Sequence, residues 1–172
     1  MIILEEVRVS TTVDMYARVR ELLPQYETWW RPVMNYTTQY PGNPTSEGIC
    51  ILWLPGTLAV PGVVSRDIPY DAACVTNPST CPDLNMRAVD WIVARTSGDE
   101  PLVNLSIFGT HLSTDEHMQL DNADFISEWI ANLSTAAQPR VVMGDLNAHW
   151  PNNGLLSHLR GFANATESLG CT

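Results

Sequence analysis

The segment 102–144 constrains the fold most, because it predicts a strand, a helix and a second strand in direct succession. The strand-like run LVNLSIFGTHLS (102–113) is followed by apolar residues at helical spacing, and RVVMG (140–144) then resumes a strand pattern. A strand, a helix and a strand of these lengths form a crossover between parallel strands, which is right-handed in nearly all proteins. The segment therefore predicts an α/β fold in which a helix covers a sheet.

Both predicted helices have polar residues at their expected starts. Ser113 precedes the long helix and Glu116 follows three positions later, which is the capping-box pattern. Ser10 and Thr11 offer N-caps for a shorter helix, whose apolar stripe ends before Pro24. We therefore expect the helices to begin directly after Ser113 and after Thr11.

The other apolar runs predict further strands. These runs cover residues 1–7, 47–54, 59–65 and 85–95. Residues 24–46 carry only a weak strand signal near 33–36, and SGDEP (97–101) is typical of a hairpin turn. Because no repeat or interdomain linker interrupts the pattern, we expect a single domain.

The composition fits a folded chain and limits its partners. Hydrophobic residues make up 45% of the 172 residues, which argues against disorder. The net charge of −10 argues against a tight, non-specific nucleic-acid binder, but not against a nuclease that meets phosphate with metal ions. No apolar run has the length of a membrane span, no signal peptide is visible at the N-terminus, and nothing points to an obligate protein partner.

Predicted strand ends carry a set of polar side chains. The set is Glu6, Glu47, His111, Asp145 and Asn147. Asp145 and Asn147 point to the same side at strand spacing, although Gly-Asp-x-Asn also suits a plain turn and the spacing alone does not decide. Carboxylates, an imidazole and an amide together are the groups that metal-assisted phosphoester hydrolysis needs. Oxygen ligands suit Mg²⁺ or Mn²⁺, and a histidine can handle a proton.

With these residues in place, the sequence resembles the endonuclease/exonuclease/phosphatase superfamily, whose fold is deoxyribonuclease-I-like. The motifs IILEEV, EGICIL, GTHLS and VVMGDLNA occur in the family's order and at roughly its spacing, over nearly the whole chain. The resemblance implies a two-sheet β-sandwich flanked by helices, with residues 1–172 forming part of that domain. It also implies hydrolysis of a phosphoester (nucleic acid, phospholipid or inositol phosphate) with Mg²⁺ or Mn²⁺ as cofactor.

The resemblance implies a role for each motif residue on the metal side of the site. Glu6 and Asp145 match metal-binding residues, and Asp145 and Asn147 match the pair that positions the water and the phosphate. Glu5 stands where the family usually has glutamine. The expected metal ligands are therefore Glu6 and Asp145, and Asn147 is also expected to contact the substrate.

The resemblance also implies how phosphate and proton are handled. His111 matches a histidine that contacts phosphate or acts as general acid, and Glu47 matches the acid that orients it. Arg87 is similar to an arginine that grips a phosphate. His149, in NAHWP, is either a residue that approaches this site or a loop residue that packs near Trp150.

Three elements of the family's site have no counterpart in this sequence. They are a leading asparagine, a closing Ser-Asp-His motif, and an aspartate that orients the histidine of that motif. We therefore expect residues 1–172 alone to hydrolyse phosphodiesters poorly or not at all. The alternative function is a fragment or degenerate homologue that binds phosphate or metal without turnover.

Cys74 and Cys81 bracket the turn-rich loop CVTNPSTC. The loop fits either a disulfide or two free thiols, and the resemblance adds that secreted nucleases carry a short disulfide loop before the arginine strand. A disulfide would indicate an oxidising compartment, so a secreted protein is expected. Cys50 lies in an apolar run and is expected to be a buried thiol.

Overall fold

The computed structural model describes residues 1–35, 45–69, 87–96, 103–133, 138–148 and 153–162. The elements within these ranges, in chain order, are β1 (Ile2–Val9), α1 (Met15–Leu22), β2 (Glu27–Asn35), β3 (Ser46–Trp53), β4 (Leu58–Ala59), β5 (Val63–Ile68), β6 (Arg87–Thr96), β7 (Asn104–Thr110), α2 (Glu116–Ala131), β8 (Arg140–Met143) and α3 (Asn153–His158). Strands therefore occupy each of the segments in which a strand was predicted.

The strands form two sheets. The first sheet has the order β1-β3-β2 and is antiparallel throughout. The second sheet has the order β4-β6-β7-β8, with β5 also paired to β6. Its pairs are antiparallel except for β7 and β8, which are parallel and joined through α2. The predicted strand, helix and strand of segment 102–144 is thus confirmed.

The two sheets pack face to face, with a helix on the outside of each. Ile49 and Ile51 of β3 meet Ile92 and Ile107 of the second sheet in the inner core. The outer cores lie under α2, through Phe108, Ile126 and Trp129, and under α1, through Tyr16, Val19 and Leu52. Each fully buried side chain of this kind contributes about 1.5–3 kcal/mol of transfer free energy. The layers confirm the predicted sandwich flanked by helices, present here as a partial fold.

Both helices begin later than predicted, each after an aspartate. Asp115 caps α2 and Asp14 caps α1, because each carboxylate accepts the backbone N–H three residues later, at 3.1 and 2.8 Å. The hydroxyl oxygens of Ser113 and Ser10 accept backbone N–H groups in the turns that precede the helices. The predicted starts after Ser113 and Thr11 are therefore wrong, since serine side chains readily bond to nearby backbone groups outside helices.

The strand β2 is longer than the weak signal at 33–36 predicted. Pro32 obscured it, but a proline is tolerated on an edge strand, and the register with β3 is irregular just after it. Trp29 packs into the inner core, and Trp30 stacks on Tyr16 of α1 with 5.7 Å between ring centroids. Both tryptophans therefore support the packing of the first sheet.

Cys50 is buried with a free thiol, as predicted, and burial raises its pKa to about 11. Cys74 and Cys81 lie outside the described residues, as does the predicted hairpin turn 97–101, so the disulfide and secretion stay predictions. Within the described ranges, no helix combines the length and apolar character needed to cross a membrane.

Candidate active site

An irregular point in β1 gives two consecutive glutamates opposite environments. The pairing of β1 with β3 shifts register between Leu4 and Val7, and Glu6 has a φ of 55°, in the left-handed region that few residues other than glycine adopt. Glu5 is turned inward with both carboxyl oxygens buried, whereas Glu6 is exposed. A bulge of this kind re-aims a side chain, and here it presents Glu6 at a cleft.

The cleft lies between the two sheets. Its lining comprises Glu5, Glu6, Val33, Met34, Glu47, Gly48, Ile49, Arg87, Ala88 and His111. Glu47, Arg87 and His111 are only 3%, 5% and 8% exposed. Because these ionisable groups are held away from water, their electrostatic interactions with a bound ion are stronger than at a surface.

The loop after β8 is tied to the loop after β7. The Leu112 N–H donates to the main-chain oxygen of Asp145, and the Asn147 side-chain amide donates to the Leu112 carbonyl, both at 2.9 Å. The Asn147 N–H also donates to Asp145 Oδ1 at 2.8 Å. These bonds bring Asp145 Oδ2 to 3.9 Å from His111 Nε2. Gly-Asp-x-Asn is therefore a turn that presents a carboxylate beside the histidine.

Gly144 is required where these two loops meet. Its φ is 134°, and a Cβ there would lie 2.0 Å from the Thr110 carbonyl oxygen and 2.8 Å from Glu5 Oε1. A larger residue would push the loop that carries Asp145 away from β7. The close approach thus fixes the position of that carboxylate relative to His111.

Two amide side chains of α2 hold the same loops from behind. Gln119 Nε2 donates to the Leu146 carbonyl at 2.7 Å, and the Ser113 N–H donates to Asn122 Oδ1 at 3.1 Å. Both amide residues are buried. No sequence motif predicted this role, although polar amides within the apolar stripe of a helix were a signal for it.

The surroundings of His111 favour its neutral form. Burial lowers its pKa most, and the positive charge of Arg87 lowers it further. The carboxylates of Asp145, Glu6 and Glu47 oppose this effect but do not overcome it. A neutral imidazole at pH 7 can accept a proton or donate a hydrogen bond.

The pKa of Glu5 is shifted in the opposite direction from that of His111. Burial raises its pKa to about 8, with smaller contributions in the same direction from Asp90 and Asp145, and Arg87 offsets part of the shift. Neither carboxyl oxygen has a hydrogen-bond partner among the described residues. Glu5 is therefore protonated at neutral pH and resembles glutamine, the residue that the family usually has at this position.

Glu47 is paired with Arg8, an arginine that no sequence motif indicated. Arg8 lies opposite it in the β1–β3 register, and its Nη2 and Nε atoms donate to Glu47 Oε2 at 2.7 and 3.2 Å. Glu47 and His111 line the same cleft, and the orienting role of Glu47 stays a prediction. Only the cross-strand register reveals this partner, and the sequence alone does not specify that register.

The donor chemistry fits a hard divalent cation. Glu6 and Asp145 are exposed carboxylates next to the cleft, and carboxylate oxygens are the ligands that Mg²⁺ prefers. No group of three or more His, Cys, Asp or Glu residues in the described ranges is arranged to hold a metal ion. His149 lies outside the described residues. Glu6 and Asp145 remain the predicted ligands of such a cation.

No protein-family model and no curated protein sequence matches the chain. Solved structures do match. The human Nocturnin catalytic domain with bound sulfate is 17% identical, with 91% of this chain and 54% of that chain covered and a TM-score of 0.60. A mannosyl-6-phosphatase from Bacteroides thetaiotaomicron is 11% identical, with 85% and 51% covered and a TM-score of 0.60.

A third match is an endonuclease/exonuclease/phosphatase family protein from Bacteroides thetaiotaomicron, which is 11% identical, with 82% of this chain and 48% of that chain covered and a TM-score of 0.59. This chain spans about half the length of each of the three. The two sheets, their flanking helices and these matches identify the fold as the one shared by endonuclease/exonuclease/phosphatase proteins, represented here in part.

Proposed function

We propose that the protein containing this chain hydrolyses phosphoesters with the help of a divalent cation. The observation that carries the proposal is the meeting of Arg87, His111 and Glu6 in one cleft, with Asp145 beside His111. A guanidinium, an imidazole and carboxylates at one point are the groups that metal-assisted phosphoester hydrolysis uses. One of the matched structures is described as a phosphatase, which supports the same reaction class.

Arg87 is the residue proposed to bind the phosphate. Its guanidinium is almost fully buried at the cleft, so its charge is little screened by water. A guanidinium binds phosphate oxygens with two parallel hydrogen bonds, which orients the group as well as holding it. The phosphorus would thereby be placed close to His111.

His111 is the residue proposed to move a proton. Its neutral imidazole accepts a proton from the attacking water or donates a hydrogen bond to a phosphoryl oxygen. The nearby Asp145 carboxylate, 3.9 Å from Nε2, stabilises the imidazolium once it forms. The Asn147 amide nitrogen is held by the Leu112 carbonyl, which leaves its side-chain oxygen to orient the water.

Glu6 and Asp145 are proposed to hold Mg²⁺ or Mn²⁺. The bound cation would neutralise phosphate charge and stabilise the leaving oxygen. The exposure of both carboxylates suits a cation that keeps several water ligands, as Mg²⁺ usually does. The carboxyl group of Glu5 lies behind them, next to Gly144.

A second candidate function is binding of phosphate or metal without turnover. The observation in its favour is that His111 is the one histidine in the described ranges that lines the cleft. His158 instead bonds Asp124 at the contact between the helices. Hydrolysis often uses one group as general base and another as general acid, so a single histidine favours weak catalysis.

Turnover and binding by the purified chain separate the two candidates. The assays would use bis(p-nitrophenyl) phosphate and p-nitrophenyl phosphate with Mn²⁺, and Mn²⁺ and inorganic phosphate as binding probes, against Asp145→Ala. Slow turnover that EDTA and Asp145→Ala both remove supports hydrolysis. Binding that Asp145→Ala removes, without turnover, supports the second candidate. Absence of both binding and turnover contradicts both.

A further inference from the structure

A phosphate bound in the cleft would be repelled by the carboxylates that surround it. The carboxylates of Glu6, Glu47 and Asp145 lie at or next to it, and Arg87 is the cation within its lining. The whole chain carries a net charge of −10, so it repels anions at long range as well. An anion can bind next to these carboxylates only if some of their charge is neutralised.

Arg8 provides such neutralisation for the most deeply buried of the three. Two of its nitrogens donate to the same oxygen, Glu47 Oε2, at 2.7 and 3.2 Å. The Glu47 side chain is 4% exposed and the Arg8 side chain is 54% exposed. A buried anion that lines the cleft is thus paired with a half-exposed cation that does not line it. Because the Glu47 carboxylate is removed from water, an uncompensated charge there would act strongly on a neighbouring anion.

We infer that Arg8 is a positioning residue for the phosphate: by pairing with Glu47, it cancels the field of a buried carboxylate and lets an anion bind beside Arg87 and His111. The inference rests on the proposed function, because it assumes that the ligand is a phosphate group. In this role, Arg8 makes no contact with the phosphate. Arg8 acts through Glu47, so its importance must disappear when the Glu47 charge is removed.

The dependence of Arg8 on the Glu47 charge distinguishes charge cancellation from two other roles that Arg8 could have. If Arg8 touched the phosphate directly, its loss would weaken binding whether or not Glu47 is charged. If Arg8 only braced β1 next to the bulge at Glu5 and Glu6, removing Glu47 would not restore binding, because the brace would still be missing.

The test is a double-mutant cycle with inorganic phosphate titrated calorimetrically into the purified chain. The variants are Arg8→Met, which keeps an unbranched apolar side chain, Glu47→Gln, and both together. We expect Arg8→Met to weaken phosphate binding about 10-fold or more, equivalent to about 1.4 kcal/mol. The double variant should recover to within about threefold of the unmodified chain.

Arg18→Met is the matched control. It removes the same unit of charge, but Arg18 pairs with Glu21 on the exposed surface of α1. Phosphate binding should be unchanged in this variant. Arg8→Lys, which keeps the charge, should bind phosphate nearly as well as the unmodified chain, and it tests the inference if Arg8→Met fails to fold by circular dichroism.

The inference is overturned if the double variant binds as weakly as Arg8→Met, if Arg8→Met binds normally, or if the unmodified chain binds no phosphate. Turnover is not needed for any of these measurements. A chain that binds phosphate in this pattern but does not hydrolyse esters would therefore contradict the proposed hydrolysis and leave the role of Arg8 intact.

Discussion

The molecule holds its ionisable groups in two contrasting ways. In the cleft, some of these groups are buried without a close partner: Glu5 has no hydrogen-bond partner among the described residues, and His111 lies 3.9 Å from its nearest carboxylate oxygen. At the contact between α2 and α3, which we call the helix junction (Asp124, Ser127, His158 and Arg160), they are partly exposed and closely paired. Asp124 accepts from Arg160 at 3.3 Å and bonds His158 at 2.8 Å.

The two arrangements suit different purposes, because one favours stability and the other favours chemical reactivity. Charged groups that are close to a partner and to water cost little and join two elements. Ionisable groups whose pKa values are shifted by burial in a cleft cost folding free energy, and such groups concentrate where proteins carry out reactions. The helix junction is therefore expected to stabilise the fold without affecting activity, and the cleft to do the reverse.

Replacing His111 in the cleft and His158 in the helix junction should give the largest difference in turnover between the two regions. His111→Asn should reduce the weak metal-dependent turnover expected of this chain to the uncatalysed rate, because the proton-handling group is lost. His158→Asn should leave turnover within about twofold. The measurement is hydrolysis of an activated phosphodiester at saturating Mn²⁺, with the folded fraction of each variant determined by circular dichroism. Equal losses in the two variants would remove the functional distinction between the regions.

Glu5→Gln should increase stability by an amount that depends on pH. The pKa of Glu5 is about 8 in the folded protein and 4.5 as its ordinary value, so folding holds a proton that the unfolded chain releases between these values. The free energy of unfolding therefore falls as pH rises from about 4.5 to 8. Glutamine removes this loss, which corresponds to on the order of 3 kcal/mol at pH 7.

Urea unfolding at pH 5 and pH 8 measures the effect. The unmodified chain should lose more stability between these values than Glu5→Gln does. Glu6→Gln is the control, since Glu6 is the adjacent residue and is exposed. If Glu5→Gln and the unmodified chain lose stability in parallel, then Glu5 is not held protonated.

The residues of the second sheet were predictable because their signals are local. The strands that precede His111 and Asp145 are short runs rich in apolar residues, and Gly144 and Asn147 adopt positive φ values that suit their residue types. The order of strand, helix and strand then brings the two strand ends side by side. A short stretch of sequence therefore contains enough information to place this half of the cleft.

The first sheet was less predictable because its side of the cleft depends on register. Glu5 and Glu6 differ only through the bulge between Leu4 and Val7, and the sequence does not show which of the two faces inward. Arg8 and Glu47 are 39 residues apart in the chain and meet only through strand pairing. Pairing across such a distance is set by the whole sandwich rather than by local pattern.

The smallest expected effect comes from the helix junction and tests its half of the comparison. Asp124→Asn weakens the bonds to His158 and Arg160, and because all three side chains are at least partly exposed, the loss should be no more than about 1 kcal/mol. Glu128→Gln, an exposed change on the same helix, is the matched control and should have almost no effect. Turnover should stay unchanged in both variants. A loss of activity in Asp124→Asn without a loss of stability would mean that the junction takes part in the function of the cleft.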